Sequence, residues 1–429
     1  MTLHMDRLVA LSTVWLAGMF LPITLLVAQA PSGPVDLLIT RARVIDGTGA
    51  VHEGATLAIT GKYIQTIGPG PTQLKAALTI DAGGKTVLPG LINSHVHLRP
   101  PGVVNEQTLN NYVAHQMSAD LRDYLSHGVT TIKSAGDPAE PLIQARGRLE
   151  QGEFQGPRLF LTGPPLTGID GHPAATLFKD NPWLRTRHVI ELTSEQDARN
   201  TVRQLADLGV DAIKLVYQGS FEDEEPYMFR PGVPLLKMSR HIMEAIIDES
   251  HRHQLLVTAH TNDLADALAV LEAGCDGLEH GVSRSRLQDM ELGPLLRQSE
   301  ASYVPTLSLY ARRRPDVLKT AMTNLKRLAD QGVRIVVGTD GIPSAGASGL
   351  DTLTELELMV EAGMTPGQVI QAATYNAAQH LGKLDELGTV EAGKLADLII
   401  VNGNPLTDIA ALHDIEIVIK GGKVVVDKP

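Results

Sequence analysis

Six residues of metal-binding or base character stand at the ends of short apolar segments that are far apart in the sequence. They are His95, His97, Lys214, His260, His280 and Asp340. Imidazole and carboxylate groups are ligands that Zn²⁺ and similar ions accept. His95 and His97 are two residues apart in LINSHVHL, and because side chains alternate along a β-strand, both should point to the same face. The spacing therefore predicts a two-metal hydrolytic site at the ends of buried strands.

Eight segments of this kind can be counted, and helical segments separate several of them. The eight are LINSHVHL, GVTTIKSAG, RLFLTG, DAIKLVY, LLVTAH, DGLEHG, ASYVPTL and RIVVGTD. Helices are predicted over 194–208, before Gly209, and over 264–273, before Gly274, because both stretches have the expected start and stop residues. Parallel strands joined by helices close into barrels whose chemistry lies at the carboxyl ends of the strands. The sequence thus predicts an α/β fold with a (β/α)8 TIM barrel.

The two ends of the chain differ in texture from its middle. Residues 31–87 and 386–429 contain short β-branched segments with turn residues between them, such as VDLLITRARVIDGTG and IEIVIKGGKVVVDK. We expect a small β-sandwich domain assembled from both ends of the chain. It would flank a metal-dependent barrel over residues 88–385.

The composition is that of an ordinary globular protein. The 429 residues leave room for a barrel of about 250 to 300 residues and a smaller second domain. The formal charge is 37 − 49 = −12, which argues against a nucleic-acid partner because such a partner needs a clustered basic surface. We expect a small-molecule partner and leave a homo-oligomer open. The single cysteine, Cys275, excludes an internal disulfide and is expected to be a small buried residue.

Residues 1–30 are dominated by an apolar run. Arg7 precedes the run, and AQA at 28–30 has the small-x-small form of a signal-peptidase site. The run is also long enough for a bilayer span, which needs about 20 residues, although Pro22 interrupts it. We expect a signal peptide or an N-terminal anchor. The protein would then be exported, as a periplasmic or secreted protein, with a membrane-anchored form as the alternative.

Several motifs resemble those of the amidohydrolase superfamily. They are DAGGKTVLPGLINSHVHL, AHTND, GLEHG, VGTDG and GTVEAGKLADLIIVNGNPL, in the order that the superfamily shows. The resemblance covers nearly the whole chain after residue 30 and is greatest to the binuclear imidazolonepropionase-like group, which includes metal-dependent dipeptidases of Xaa-Pro or Xaa-Arg type. Asn93 departs from the pattern, since many members have Asp there. An amide still forms hydrogen bonds, so we expect the change to alter the surroundings of the ligands rather than metal binding.

The resemblance implies that the site holds two divalent metal ions, with zinc as the first expectation. His95, His97 and Asp340 would hold one ion. His260 and His280 would hold the other. Other ions that accept these ligands, such as Mn²⁺, Co²⁺ or Fe²⁺, are not distinguished by the sequence.

Lys214 is the residue that would decide between a binuclear and a mononuclear site. In the binuclear members that this chain resembles, the matching lysine is carbamylated, and its two carbamate oxygens bridge the metals. An ammonium inside a barrel is costly, and the neutral amine is the form that reacts with CO2. The alternative is a lysine whose stem packs in the barrel while its ammonium reaches the mouth.

The reaction that the resemblance implies is hydrolysis of a C–N bond, in a dipeptide or an N-acyl amino acid. Water between two cations loses its proton near neutral pH. A metal-bridging hydroxide would then attack the carbonyl carbon, and Asp340 would act first as general base and then as general acid toward the leaving nitrogen.

Three other functions stay open. Arg99 follows the histidine pair as in cyclic-amide hydrolases of the dihydroorotase and hydantoinase type, where such an arginine can bind a carboxylate. Asp263 stands where mononuclear deaminases often have a glutamate, although a helix cap explains it as well. A noncatalytic amidohydrolase-like scaffold is the third alternative. The interval between His260 and His280, 280 − 260 = 20 residues, favours the dipeptidase-like group over the cyclic-amide hydrolases.

Candidate substrate-binding residues lie in the loops that follow the strands. They are Arg99, His172, Tyr217, Tyr227 and Arg230. Arginine suits bidentate capture of a carboxylate, whereas most charged loop residues are solvated. The longest predicted loop runs over residues 163–190. Lys133 is expected to be structural, and His380, like the other histidines on predicted helices, is expected to be exposed or to cap its helix.

Overall fold

The computed structural model describes residues 34–70, 74–219, 235–288, 292–343 and 348–428. The predicted leader, Tyr227 and Arg230 therefore lie outside the described residues. No helix within the described ranges combines the length and apolar character needed to cross a membrane.

Strands and helices alternate through the middle of the chain, and strands predominate at both ends. The strands are β1 Val35–Ile45, β2 Val51–Thr60, β3 Tyr63–Pro69, β4 Ala76–Asp81, β5 Thr86–Pro89, β6 Leu91–Val96, β7 Val129–Ser134, β8 Arg158–Leu161, β9 Leu166–Gly168, β10 Ile190–Leu192, β11 Ala212–Val216, β12 Leu256–His260, β13 Gly277–Glu279, β14 Ser302–Val304, β15 Arg334–Ile335, β16 Leu398–Val401, β17 Ile415–Lys420 and β18 Lys423–Asp427. The helices are α1 Glu106–His115, α2 Met117–Ser126, α3 Ala139–Glu150, α4 Pro182–Arg187, α5 Glu195–Leu208, α6 Arg240–Arg252, α7 Leu264–Glu272, α8 Leu292–Gln298, α9 Leu307–Arg313, α10 Pro315–Asp330, α11 Ser348–Glu361, α12 Pro366–Ala373 and α13 Tyr375–His380, with a 3₁₀ helix at Ile409–His413.

One sheet joins the two ends of the chain, in the order β18-β17-β16-β5-β1-β2-β3, with β4 paired to β1. The link between the ends is the antiparallel pair of β5 and β16, in which Val87 faces Ile400. Ile39, Leu57 and Ile400 are among the buried residues of its own hydrophobic cluster. Strands from both ends of the chain thus pair in one sheet, because alternating apolar residues give each strand a face to bury.

The middle of the chain forms two parallel sheets. The first has the order β6-β7-β8, and the second has the order β10-β9-β11-β12-β13-β14-β15. Their ends are connected by backbone hydrogen bonds: the N–H of Asp211 donates to the carbonyl of Leu161 at 2.9 Å, and that of Ser94 donates to Val337 at 2.9 Å. The eight predicted segments therefore follow one another in space in their sequence order.

Two segments differ from the predicted elements. The 163–190 loop is not irregular throughout, because it contains β9 and α4, and Leu166 of β9 pairs with Leu215 of β11. The eighth segment forms only a two-residue strand, β15. Its continuation is still held between its neighbours, since the N–H of Val336 donates to the carbonyl of Tyr303 at 3.0 Å.

Helix ends agree closely with the sequence signals. The side chain of Ser194 caps α5 by accepting from the N–H of Asp197, and Gly209 ends the helix with a left-handed φ of 89°. Asp263 caps α7 in the same way. Both helices thus begin where the capping residues predict, because a side-chain oxygen satisfies a backbone N–H that the first turn leaves free.

Candidate metal centre

The strand ends bring the six predicted ligands to one cavity of about 290 Å³. Residues from β6, β11 and β12 and from the segments after β13 and β15 line it together: His95, His97, Lys214, His260, His280 and Asp340. All six come from the same ends of parallel strands, so that a separation of up to 340 − 95 = 245 residues along the chain is closed by the sheet order.

His95, His97 and Asp340 form a compact group whose potential ligand atoms all lie within 4.8 Å of one another. Nε2 of His97 lies 2.9 Å from Oδ1 of Asp340, and Nε2 of His95 lies 3.3 Å from the same oxygen. Burial raises the pKa of Asp340, but hydrogen bonds from the two histidines outweigh it and hold the pKa well below its usual range. The group therefore presents an ionised carboxylate between two imidazoles.

Lys214 is a buried lysine without a hydrogen-bonding partner. Its side chain is only 3% exposed, and its Nζ has no partner among the described residues. Burial lowers the pKa of this amine to about 8, although the nearby Glu279 acts in the opposite direction. A buried amine that makes no hydrogen bond is energetically costly. A further bound group at this place would satisfy it.

Histidines that line the cavity form a cluster of rings. The ring of His280 lies 4.9 Å from that of His95 and 4.5 Å from that of His260, and His172 stacks on His260 at 4.8 Å. Burial holds the pKa of both His260 and His280 well below the ordinary value. They are therefore neutral imidazoles, which is the form that binds metal.

Each histidine also has a contact that orients its ring. Nδ1 of His280 lies 2.9 Å from the hydroxyl of Thr306. Nε2 of His260 lies 2.6 Å from Oε1 of Gln218. Hydrogen bonds of this kind select the tautomer and the ring orientation of a metal ligand. Thr306 and Gln218 were not predicted from the sequence, because no motif marks them. Only their contacts with His280 and His260 in the folded chain identify them.

Three residues of the site have left-handed backbone conformations: φ is 66° at His280, 48° at Thr306 and 49° at Asp340. Such conformations cost about 1 to 3 kcal/mol for residues other than glycine and concentrate at functional sites. At His280 the turn also ends the strand alternation. Glu279 and His280 are adjacent, yet the side chains of both therefore lie near His95. Oε2 of Glu279 is 2.7 Å from Nδ1 of His95.

Asn93 connects β6 to the eighth predicted strand segment by a hydrogen bond. Its side-chain N–H groups donate to the hydroxyls of Thr339 and Thr352 at 3.0 Å each, and its oxygen accepts from the backbone N–H of His95 at 3.2 Å. The amide at this position thus holds the backbone next to two ligands, and it does not enter the cavity lining.

Of the candidate substrate-binding residues, Arg99 and His172 line the cavity. The guanidinium of Arg99 donates to the carbonyl of Val103 at 3.2 Å and lies 5.6 Å from the ring centre of Phe178. Tyr217 is buried in the hydrophobic core under Lys237 and is not part of the lining. Apolar residues also line the cavity, and they include Pro101, Pro165, Pro173, Leu177, Phe178 and Ile342.

The structure corrects the prediction for His380 and adds two contacts for Lys133. His380 is neither exposed nor a cap: it is 6% exposed, and its Nε2 accepts a hydrogen bond from Nζ of Lys133 at 2.7 Å. The reason is that α13 packs against β6, which turns the last residue of the helix toward the strands. Lys133 also donates to Glu279 at 3.1 Å, consistent with a structural role.

The residues present fit divalent cations. They supply neutral imidazoles, an ionised carboxylate and an amine without a partner, all facing one enclosed space. Nitrogen and oxygen donors of this kind suit Zn²⁺ and related ions. Cys275, by contrast, is buried away from the cavity lining and acts as the small buried residue that was expected.

Comparisons with known proteins identify the family of this chain. Residues 86–425 match the amidohydrolase family. The chain is 26% identical to an ochratoxinase of Aspergillus niger over 444 aligned positions, covering 93% of this chain and 88% of that protein. It is 26% identical to an imidazolonepropionase of Geobacillus kaustophilus over 420 positions, covering 90% and 91%.

Among solved structures, a Xaa-Pro dipeptidase with methionine bound in its active site is 25% identical to this chain. The superposition covers 91% of this chain and 99% of the dipeptidase, with a TM-score of 0.76. The likeness implies the TIM-barrel fold for the α/β unit described above. The chain therefore belongs to the amidohydrolase family, and it is a hydrolase acting on carbon–nitrogen bonds.

Proposed function

We propose that the chain is a binuclear metal-dependent amidohydrolase that cleaves the amide bond of a dipeptide or an N-acyl amino acid. The observation that carries the proposal is the convergence of His95 and His97 on one oxygen of Asp340, at 3.3 and 2.9 Å, in the cavity that also holds the unpaired amine of Lys214. A hydrolytic site needs this combination of metal donors and an ionised base.

Two cations would share the cavity, with Zn²⁺ as the first candidate. His95, His97 and Asp340 would hold one, and His260 and His280 the other. When bound, the cations supply Lewis acidity toward a carbonyl group and make water acidic near neutral pH.

Lys214 would bridge the two positions as a carbamate. Its neutral amine would add to the carbon of CO2: a C–N bond forms, one C=O π bond of CO2 opens, and one proton leaves to solvent, so that the neutral amine becomes a carbamate monoanion with two oxygens. The pKa of about 8 supports this step, because burial keeps a larger share of the amine neutral near pH 7 than in a solvated lysine.

Asp340 has the position and ionisation of the general base. Its carboxylate can accept a proton from the attacking water, and the same proton can then pass to the leaving nitrogen, which departs as a neutral amine. The contacts of His95 and His97 with one oxygen of this carboxylate support the role, because they favour its ionised form. The products are a carboxylic acid and an amine.

Arg99 supports a substrate with a free carboxylate. Its guanidinium lines the cavity beside the ring of Phe178, and burial lowers its pKa despite the attraction of Asp137. A cation at the edge of an apolar cavity suits an amide whose one side is apolar and whose other side carries a carboxylate. Xaa-Pro dipeptides, named by the similar solved structure, have this form.

A cyclic-amide hydrolase is the second candidate, because the same Arg99 would hold the carboxylate of a cyclic amide. A mononuclear deaminase is disfavoured by Asp263, whose carboxylate accepts from the N–H of Asp266 at 2.9 Å as a helix cap. A noncatalytic scaffold is disfavoured by the complete set of six side chains around the cavity.

The organisation of the whole chain is part of the proposal. We propose a leader or anchor over 1–30, a closed (β/α)8 barrel over 88–385, and a β-sandwich from 31–87 and 386–429. The hydrogen bonds between the two parallel sheets and the pairing of β5 with β16 support the latter two. The apolar run before residue 31 supports export to the periplasm or the medium, or a membrane-anchored form.

The test combines metal analysis with a substrate screen. The full chain, expressed with zinc supplied, should contain about two divalent metals per chain. It should release amine from dipeptides or N-acyl amino acids faster than it opens cyclic imides or deaminates aminopurines. About one metal per chain with ammonia release would indicate the deaminase, and preferred opening of a cyclic imide would indicate the second candidate. Absence of metal and of activity after metal addition would overturn the proposal.

A further inference from the structure

A continuous row of four buried polar side chains runs away from the cavity behind His95. Nδ1 of His95 contacts Oε2 of Glu279 at 2.7 Å, the other carboxylate oxygen accepts from Nζ of Lys133 at 3.1 Å, and Lys133 also donates to Nε2 of His380 at 2.7 Å. No residue of the row is more than 6% exposed. Three of the four, all except His95, lie outside the cavity lining, and the proposed reaction uses none of these three.

The charged groups of the row must be paired with one another, because all four side chains are buried. A buried carboxylate is costly unless it is paired and hydrogen-bonded on both oxygens, and a buried ammonium has the same requirement. Glu279 meets this requirement through His95 and Lys133. Both carboxylate oxygens of Glu279 are thus occupied, one by His95 and the other by Lys133.

His380 completes the row as an acceptor. Its ring lies against β13 two residues before Glu279, where a Cβ on Gly277 would stand only 3.1 Å from Cε1 of His380. The glycine thus makes room for the ring beside Lys133. Burial and the neighbouring Lys133 lower the pKa of His380 to about 3, so that Nε2 remains an unprotonated acceptor. The ring limits where the lysine ammonium can lie.

We propose that Lys133 and His380 are positioning residues for the metal site: through Glu279 they hold His95 with Nδ1 protonated and Nε2 directed toward the cation. A carboxylate that accepts from the second nitrogen of a metal-binding histidine fixes its tautomer and orientation and raises its basicity. In this chain the carboxylate itself accepts from an ammonium on another strand, and that ammonium also donates to a histidine on a helix. The inference rests on the proposed metal-dependent function, because it assigns a purpose to residues around that site.

Metal affinity measures this role directly. Lys133→Met and His380→Leu should weaken Zn²⁺ binding by about 10- to 100-fold, the range seen when the surroundings of metal ligands are altered. The full chain, stripped of metal, is titrated with Zn²⁺ in competition with a chromophoric chelator. Loading the same variants with Co²⁺ should change the visible absorption spectrum, which reports the ligand geometry. His380→Gln should behave almost as the parent, because its amide oxygen can still accept from Lys133.

Thr86→Val is the matched control for loss of a buried polar contact. Thr86 is fully buried and donates to the carbonyl of Gly403 in the sheet of the chain ends, away from the cavity lining. The Thr86→Val variant should have a lower thermal midpoint of unfolding, with Zn²⁺ affinity and the Co²⁺ spectrum unchanged. Equal Zn²⁺ affinity and spectra in parent, Lys133→Met and His380→Leu would overturn the inference.

If Lys133→Met does not fold, the two His380 variants test the positioning role by themselves. Weaker binding in His380→Leu with parent-like binding in His380→Gln supports the positioning role, whereas parent-like binding in both overturns it. A parent protein that binds no divalent metal would overturn the proposed function and this inference with it. A parent that binds two metals tightly, with variants that do so equally well, would overturn the inference alone.

Discussion

Nε2 of His97 and Oδ1 of Asp340 lie 2.9 Å apart, although the two residues belong to the first and the eighth strand segments. The contact leaves the carboxylate ionised next to a ring nitrogen that can bind a metal. Asp340 is the residue that we propose both to hold a cation and to accept a proton. Two histidines contact the same oxygen of this carboxylate.

Replacement of Asp340 tests its role as the base. Asp340→Asn keeps the size of the side chain and removes the charge, so kcat should fall by about 10² to 10⁴-fold, the usual contribution of general acid–base catalysis. Initial rates on the best substrate of the screen, normalised to measured metal content, give the effect. Asp316→Asn, at an exposed carboxylate, is the control and should keep full activity. A variant at position 340 that keeps more than a tenth of the activity would contradict the role.

Removal of the Lys214 amine tests the carbamate. Lys214→Ala should lose metal and activity, since no group would remain to bridge the two positions. Formate, acetate or propionate should restore part of both, because a free carboxylate can take the place of the carbamate. Metal content and rate are measured with and without the added acids. Lys319→Ala, on the exposed face of α10, should behave as the parent. Two metals and full rate without added acid would exclude the carbamate.

His188 makes the fold sensitive to acid. Its Nε2 is buried without a partner among the described residues, and burial lowers its pKa to about 4. The unfolded chain, with a histidine pKa of about 6.5, binds more protons between about pH 6.5 and 4. The free energy of unfolding should therefore fall as the pH falls through this window.

Replacing the imidazole should reduce that acid sensitivity. His188→Phe keeps a ring against Phe178 and Trp183, and the loss of stability from about pH 7 to 4.5 should become smaller by about 1 to 3 kcal/mol. Urea denaturation of the metal-depleted chain at both pH values measures it. His241→Phe, whose parent side chain is 79% exposed, should leave the difference unchanged. The explanation fails if both variants lose the same stability as the parent.

Gly281 holds the turn that directs His280. Its φ is 65°, and a Cβ there would stand 2.1 Å from Cε2 of Tyr303. Gly281→Ala should lower the free energy of unfolding by more than about 3 kcal/mol and weaken metal binding, because backbone strain and overlap with the ring act together. Gly332→Ala separates the two effects, since φ is 75° there but nothing lies within 4 Å of the added Cβ. This control should cost about 1 to 2 kcal/mol and leave metal affinity unchanged.

Arg99 should determine the affinity for carboxylate-bearing substrates. Arg99→Gln should raise KM by about 10- to 100-fold for such a substrate, the value of one or two charged hydrogen bonds, with little change for the corresponding amide. Steady-state kinetics on the matched pair of substrates give the ratio. Arg122→Gln, at an exposed arginine of α2, serves as the control. An equal rise in KM for acid and amide would assign Arg99 to packing instead.

Local patterns in the sequence were sufficient for the parts of the site that depend on one strand or one helix. Strand alternation placed His95 and His97 together, and both line the cavity. The capping residues Ser194 and Asp263 marked the starts of α5 and α7. Each of these features is decided within a few residues, by the period of the strand or by the unsatisfied N–H groups of a first helical turn.

Contacts between distant residues were decided by the tertiary structure. Glu279 meets His95 across 184 positions of sequence, and Lys133 meets His380 across 247. Strand alternation would have put Glu279 and His280 on opposite faces, and only the left-handed turn at His280 brings both to the site. Tyr217 belongs to the core instead of the cavity because its neighbours on other elements bury it.

The six proposed ligands were thus predicted from the sequence, through residue type, strand-end position and order along the chain. Their support was determined by the fold, because hydrogen-bond partners on separate strands depend on the order of strands, their register and the packing of α13 against them. A pattern along one segment contains none of these three quantities. The sequence therefore predicts which atoms can bind metal, and the tertiary structure decides which neighbours orient those atoms and what substrate can reach them.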